Sequence, residues 1–416
     1  MNKADSSIIT QILQEHGYEI VGDPNYADIF IVNTCSVRAH AEARALGYIS
    51  TMKPWRNKDG RILAVVGCMA KRLENRLFEE FHFVDLILGP DSYRTIDEYV
   101  KEIVDKKNRI IETALHEETY CGIHPKPNGV ASFVPIMRGC NNFCSYCVVP
   151  FVRGHAASRN FQDIVKEIED LVDSGVKDIT LLGQNVNEYS YQGTDFADLL
   201  KICTQIPGLF RLRFLTSHPK DLSDKIIETI HIHRNICEWF HLPLQSGCNR
   251  ILELMNRRYT KESYLRLIEK IRQVIPEASI TTDVIVGFPT ETEEEFLETI
   301  SVLDKVKFDD AYMYCYSPRE GTKAFQYESA PEAVIKKRLQ TLIDFQNKIV
   351  LDKTKAMIGK KFEVLFETRA RNKGSRGKTR GNKDVVVEKD IELGSVHEVI
   401  IKKIIGKTPV GELPKP

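Results

Sequence analysis

The chain has 416 residues, 42% of them hydrophobic and 28% charged, and its 58 basic residues balance 58 acidic ones for a formal net charge of zero. That length is enough for two or three domains, and the balance excludes a generally cationic surface, so any binding of a polyanion must rest on a local patch. The first residues form no apolar signal core, no run reaches transmembrane length, and ten cysteines suit a reducing compartment; the expectation is a cytoplasmic protein with no membrane partner.

Residues 3 to 16 set Ile8, Ile9, Ile12 and Leu13 at helical spacing with Gly17 as a stop, which predicts an amphipathic helix with a strand ahead of it. An apolar strand, Asp28 to Val32, then runs into Asn33-Thr34-Cys35-Ser36, and a second, Ile62 to Val66, into Gly67-Cys68-Met69. This strand and helix rhythm predicts a doubly wound, flavodoxin-like α/β domain over residues 1–115, in which the strand before the first helix is central. Cys35 and Cys68 both end strands and so border one crevice; on spacing alone, each reads first as a small buried residue at a turn, and their approach to one another is the alternative. A linker from about His116 to Gly129, rich in Gly, Pro and charge, carries Cys121.

From Phe133 six strand-helix units follow, with strands at Phe133 to Met137, Asp178 to Leu182, Arg211 to Leu215, Glu238 to Leu242, Ser279 to Val286 and Asp309 to Tyr316. Their helical crossovers, such as Gln162 to Ser174 and Glu291 to Lys305, predict a parallel sheet curled into a partial TIM-like barrel over residues 130–352, with ligands at the carboxyl ends of the strands. Cys140, Cys144 and Cys147 follow the first strand at C-x3-C-x2-C spacing in a polar loop. Three such thiolates hold three corners of a cubane iron-sulfur cluster and leave the fourth iron open to a small molecule. Zinc wants a closed set of four ligands, and the nearest histidine, His155, lies eight residues past Cys147. The other strand ends carry polar and glycine runs: Gly183 to Asn187, Thr216 to Pro219, His241 to Gly247 and Val284 to Pro289. His231 and His233 read as exposed helix-end residues and His241 as a packed strand-end residue, none of them a metal ligand.

Past a long helical stretch from Pro331, short strands at Lys361 to Glu367, Asp384 to Glu388 and Val396 to Ile404 predict a small β-barrel over residues 353–416. Between the first two strands the segment from Arg369 to Lys383 has seven basic residues and no acidic one. It reads as a flexible cationic loop, and on a small barrel in a neutral chain such a loop favours RNA.

The set formed by Asn33 to Arg38, Val66 to Ala70, the triplet with Val148 to Gly154, Leu181 to Asn187, Thr216 to Pro219, His241 to Gly247 and Asp283 to Pro289 resembles the radical S-adenosylmethionine (SAM) methylthiotransferases, in particular the branch that modifies tRNA. The resemblance covers essentially the whole chain and implies an amino-terminal domain with an auxiliary 4Fe-4S cluster, a radical SAM barrel with a second 4Fe-4S cluster, and a small RNA-binding TRAM barrel. It makes Cys140, Cys144 and Cys147 the ligands of the radical SAM cluster and Cys35 and Cys68 ligands of the auxiliary one. Tyr146, Gly183, Gln184, Ser217, Gln245 and Gly287 become contacts to SAM. The implied reaction is radical removal of hydrogen from carbon 2 of N(6)-dimethylallyladenosine beside the anticodon of tRNA, followed by insertion of a methylthio group. A flavodoxin- or ferredoxin-like electron donor, a sulfur or cluster-repair donor and a monomeric enzyme are further expectations.

The family's first auxiliary cysteine lies in a Gly-Cys-Gln-Met-Asn stretch, whereas this chain begins Met1-Asn2-Lys3; a start assigned too late or a shortened chain is the expectation, and is preferred to Cys121 as a substitute ligand because that residue lies in the linker. Three alternatives share much of the pattern: an aspartate methylthiotransferase acting on a ribosomal protein, a methylthiotransferase acting on threonylcarbamoyladenosine in tRNA, and a catalytically idle RNA-binding protein. The cationic segment and Val148-Val149-Pro150-Phe151 favour the tRNA branch over the first.

Overall fold

The computed structural model describes residues 1–414 apart from Arg38, Asp59 and Asn372. Arg38 closes the first cysteine motif and Asn372 lies in the cationic segment, so both parts of those expectations fall outside the described residues. The chain forms two compact units. The first comprises Met1–Lys126, Pro135–Ile164 and Arg319–Thr322, and the second Pro127–Val134, Val165–Pro318 and Lys323–Pro416.

In the first unit, β1 (Ile29–Thr34), β2 (Ile62–Gly67), β3 (Leu86–Leu88) and β4 (Ile110–Glu112) pair in chain order as a parallel sheet. Every residue of β2 is buried, because both faces are covered; that is why it reads as a continuous apolar run and not as an alternation. Ala64 and Val66 face one core with Ile8, Ile9, Ile12 and Leu13 of α1 (Asn2–Glu15) and with Val100 and Ile103 of a helix at Ile96–Lys106. Leu63 and Val65 face the other, with Ile49 and Met69. Each fully buried Ile or Leu of α1 contributes roughly 1.5 to 3 kcal/mol, which is what fixes so short a helix to the sheet. No strand precedes α1 among the described residues, and β1 pairs directly with β2, Ile29 opposite Ile62.

The second unit holds β5 (Ala131–Pro135, of which the residues to Val134 belong here), β6 (Asp178–Leu182) and β7 (Arg211–Leu215) in one sheet, and β8 (Trp239–His241), β9 (Ser279–Val286) and β10 (Asp310–Cys315) in another. A bridge between Leu212 and Ile236 joins the two, so the six strands follow one another in chain order. A helix of 24 residues, α2 (Glu332–Lys355), leads to a closed barrel of β11 (Lys361–Arg369), β12 (Ser375–Thr379), β13 (Asp384–Val387), β14 (Val396–Ile405) and β15 (Thr408–Glu412), filled by Val364, Phe366, Val385, Val387, Val399 and Ile401.

The cationic segment is not the flexible loop expected from its composition. Its middle is β12, paired with β11 and β13. The strand contains no apolar side chain to betray it, and Gly377 is required by close packing: a Cβ there would lie 2.3 Å from the Leu365 carbonyl oxygen.

Candidate functional site

The cysteine loop of the first unit is closed at its neck. Met137–Arg138 pairs antiparallel with Ala157–Ser158, and the Cys140 amide donates to the Gly154 carbonyl at 3.2 Å. Gly139 has φ +73°, and a Cβ on it would lie 1.8 Å from the His155 carbonyl oxygen, so only glycine fits between the two passes of chain. Within the loop the Asn142 backbone and side-chain N–H groups both reach the Cys140 sulfur at 3.5 Å, and the Cys147 amide donates to the Cys144 carbonyl at 3.0 Å. Cys140, Cys144, Cys147 and Tyr146 are all half-buried. Among the described residues no three Cys, His, Asp or Glu side chains are gathered closely enough to hold a metal ion. The triplet is brought together as a loop with fixed ends and not as a finished cage; its donor set is that of a three-thiolate cubane site.

Cys35 and Cys68 follow β1 and β2 in the same unit, near enough for Cys35 to act on the Cys68 thiol. Burial pushes the Cys68 thiol pKa up, while Arg153, whose Nε donates to its sulfur at 3.1 Å, pulls it back. Arg153 also pairs with Asp5, which accepts from Arg138 Nη1 at 3.0 Å. Burial raises the Asp5 carboxyl, but the two guanidiniums outweigh it and hold the pKa at about 2. Arg138 lies 4.8 Å over the Tyr120 ring and donates to the Pro90 carbonyl at 3.0 Å. A second carboxylate, Glu42, is shared by Arg72 and by Arg319 Nη1, the latter at 3.3 Å, and Arg72 Nε donates to Ser36 Oγ at 3.3 Å. Sequence reasoning passed over Asp5, Arg72, Arg138, Arg153 and Arg319; the signal it had was that Arg138 and Arg153 flank the cysteine loop. Cys121 is exposed and bonded to Asp163.

In the second unit the expected SAM contacts stand at strand carboxyl ends. Gly183 and Gln184 follow β6, Ser217 follows β7, Gln245 follows β8 and bridges to Val284 of β9, and Gly287 follows β9. The backbone is strained there: Thr216 has φ +75° and Gln245 φ +66°, the left-handed region that a β-branched residue rarely enters. Asn185 ties two of these ends together, accepting from the His218 amide at 2.9 Å and donating to Asp221 at 2.7 Å. Gly287 has φ +69°, and its amide donates to Glu291 at 2.8 Å.

What these ends share is unmet hydrogen-bonding capacity. Gln184 Oε1, the Asn187 side-chain amide, Ser217 Oγ, His218 Nε2 and Gln245 Oε1 are buried without a partner. Burial, with Arg257 and Lys220 adding to it, holds the His218 pKa at about 2, so the ring is neutral. Its Nδ1 accepts from the Lys220 amide at 3.3 Å, which leaves Nε2 carrying the hydrogen as an unused donor. Native proteins leave few buried polar groups unpaired, and a cluster of them marks a place made for a polar ligand. His218 and Asn187 were not among the expected contacts. His241 is packed, with Nδ1 3.0 Å from Thr281 Oγ1, and His231 and His233 end a helix at Asp224–Ile232.

On the small barrel most of the seven basic residues are already engaged. Arg369 pairs with Asp390, Arg376 with Asp384, Lys378 with Glu367 and Arg380 with Glu238. Arg371 and Lys373 are exposed and form no ion pair among the described residues.

Residues 134–303 match the radical SAM superfamily, and residues 1–89 match an uncharacterized protein family, UPF0004. The chain is similar to the tRNA-2-methylthio-N(6)-dimethylallyladenosine synthase of Acetivibrio thermocellus, 42% identical over 94% of this chain and 84% of that protein. It is similar to the enzyme of the same name from Syntrophus aciditrophicus, 42% identical over 99% of this chain and 92% of that one. Among solved structures, the radical S-adenosylmethionine methyltransferase TsrM from Kitasatospora setae, with cobalamin and a [4Fe-4S] cluster bound, superposes with a TM-score of 0.59 over 77% of this chain and 71% of that one. At 14% identity that likeness is one of fold alone. Among the described residues no helix is long and apolar enough to cross a membrane.

Proposed function

The chain belongs to the family of tRNA-2-methylthio-N(6)-dimethylallyladenosine synthases, and we propose from this that its two sets of cysteines and its unpaired strand-end groups carry out radical methylthiolation of tRNA. The enzyme places a methylthio group on carbon 2 of N(6)-dimethylallyladenosine next to the anticodon. Its cofactors are two 4Fe-4S clusters and SAM. When bound, they supply homolytic cleavage of an unactivated carbon-hydrogen bond and a transferable methylated sulfur, chemistry beyond the reach of any side chain in the molecule.

The residues divide that work. Cys140, Cys144 and Cys147 hold the radical SAM cluster, and Cys35 and Cys68 are ligands of the auxiliary one. Gln184, Ser217 and Gln245, with Asn187 and His218 added, offer hydrogen bonds to the amino acid and ribose portions of SAM, while Gly183 and Gly287 let the backbone approach it; Tyr146, inside the cysteine loop, adds a further contact. The cluster of buried unpaired polar atoms after β6, β7 and β8 is the observation that supports this assignment most directly. His218, neutral at any working pH, acts as a fixed donor and not as an acid or base.

The target base enters unstacked, as single-stranded RNA does when it is read by protein, and the exposed Arg371 and Lys373 add phosphate contacts. A flavodoxin- or ferredoxin-like protein supplies electrons, a sulfur donor renews the auxiliary cluster, and the enzyme works as a cytoplasmic monomer. Mass spectrometry of tRNA nucleosides from cells with and without the gene tests the reading. Loss of the 2-methylthio nucleoside with accumulation of N(6)-dimethylallyladenosine is expected; an unchanged profile would overturn it in favour of a ribosomal-protein substrate or an idle RNA binder.

A further inference from the structure

The surroundings of Cys35 and Cys68 contain two arrangements of the same kind. In each, two arginines share one carboxylate: Arg138 and Arg153 share Asp5, and Arg72 and Arg319 share Glu42. Each therefore carries one positive charge in excess. Each also keeps guanidinium N–H groups that are buried and unpaired, Arg138 Nε and Arg153 Nη1 in the first, Arg319 Nε and Nη2 in the second. Leaving such donors without an acceptor is costly, more so for charged groups, so a protein that retains four of them has a use for them.

Arg319 is the least committed of the four arginines. It is 6% exposed, it makes one side-chain bond, to Glu42 at 3.3 Å, and two of its nitrogens are idle. Its backbone is fixed by a tight turn in which Thr322 N and Oγ1 donate to the Arg319 carbonyl at 3.1 and 2.6 Å, so the side chain starts from a rigid base. The same Glu42 oxygen that holds Arg319 also accepts from Ser36 Oγ at 3.4 Å, which sets Arg319 beside the residue that follows Cys35. Arg153, by contrast, already donates to Cys68.

We propose that Arg319 is a positioning residue for the auxiliary cluster, tethered by Glu42 so that its idle Nε–H and Nη2–H donate to a sulfur of the cluster held at Cys35 and Cys68. The assignment rests on the reading of those two cysteines as ligands. A donor to a cluster sulfur, and a positive charge beside it, stabilise the more negative reduced state and raise the reduction potential. Arg319 thus tunes the potential of the cluster that gives up sulfur, separately from the one that cleaves SAM.

The experiment uses the full chain with Cys140, Cys144 and Cys147 replaced by alanine, so that only the auxiliary cluster is reconstituted with iron and sulfide. Its midpoint potential is followed by electron paramagnetic resonance during a redox titration in the parent and in Arg319→Met, Arg319→Lys and Glu42→Gln, at matched iron content. Arg319→Met is expected to shift the potential negative, Arg319→Lys to fall between it and the parent, and Glu42→Gln, which removes a negative charge and leaves both arginines, to shift it positive. Any other pattern, equal potentials included, overturns the assignment alone. A parent that takes up no cluster overturns the assignment together with its premise, that this chain holds a cluster at Cys35 and Cys68.

Discussion

Arg213 and Arg319 are both buried arginines, and they are used in opposite ways. Arg213 sits at β7 of the second unit with each of its three guanidinium nitrogens bonded: Nε spans both oxygens of Asp178 at 2.8 and 3.1 Å, and Nη1 and Nη2 donate to the carbonyls of Arg380 and Thr379 at 2.6 and 2.9 Å. Those carbonyls end β12, so Arg213 latches the small barrel to the base of the strands, with Arg211 beside it donating to the Lys378 carbonyl at 2.8 Å. Arg319 in the first unit spends one donor and holds two back. A buried charge with every bond made serves the fold; one with bonds withheld is a cost the fold carries for the sake of something that binds.

The contrast is open to attack, and the strongest attack is on the latch. Arg213→Met leaves Asp178 charged and buried without its guanidinium and takes the donor from the Arg380 carbonyl, so urea unfolding of the second unit should lose about 3 to 5 kcal/mol; a loss under about 1 kcal/mol would mean that the latch is ornamental. Asp5 comes next. Its carboxyl is held at about 2, below the ordinary 3.8, so the stabilisation it gives is complete above about pH 4 and drains away as the pH falls through 2. Asp5 should account for roughly 2 to 3 kcal/mol of the acid destabilisation of the first unit over that window, and Asp5→Asn should remove that share and leave what Asp163, also held at about 2, contributes. Flat acid stability in the parent would contradict the ion pairing.

Ser217 tests the withheld groups directly. Because its hydroxyl is buried without a partner, Ser217→Ala should leave unfolding stability unchanged or slightly raised while SAM affinity, read by equilibrium binding, falls five- to tenfold, roughly 1 to 1.4 kcal/mol. Lost stability with unchanged affinity would make Ser217 a structural residue. The smallest effect is expected at the surface: replacing Arg371 and Lys373 with alanine should weaken tRNA binding a fewfold and lower the slope of log affinity against log salt by about 1 to 2.

Much of this molecule was legible in its sequence, and the gaps have physical causes. The strands Asp178–Leu182, Arg211–Leu215 and Ser279–Val286 lie where the sequence places them; the first is buried throughout, and the other two carry buried apolar residues at alternate positions. Leu86–Leu88 and Ile110–Glu112 are too short to establish a period, and β12 hides under basic residues and glycine because its pairing is set by its neighbours' backbones. Cysteine spacing and strand-end polarity point to the site. The buried arginines do not announce themselves, since an arginine looks the same in sequence whether it meets water, a carboxylate or nothing, and only tertiary packing decides which. His218 and Asn187 were within reach of the sequence, being neighbours of chosen residues, but their unpaired state was not.

The pinched neck at Gly139 bears on the order in which the protein is assembled. Closing a loop costs entropy, and here backbone pairing at the neck, where Cys140 bonds to Gly154, meets part of that cost. The cysteine loop can therefore close as a local event of low contact order and wait, its ends already joined, for a metal that arrives later. Substituting Gly139 would then reopen the loop and move that expense onto the cluster, so that loading, more than folding, would register the damage.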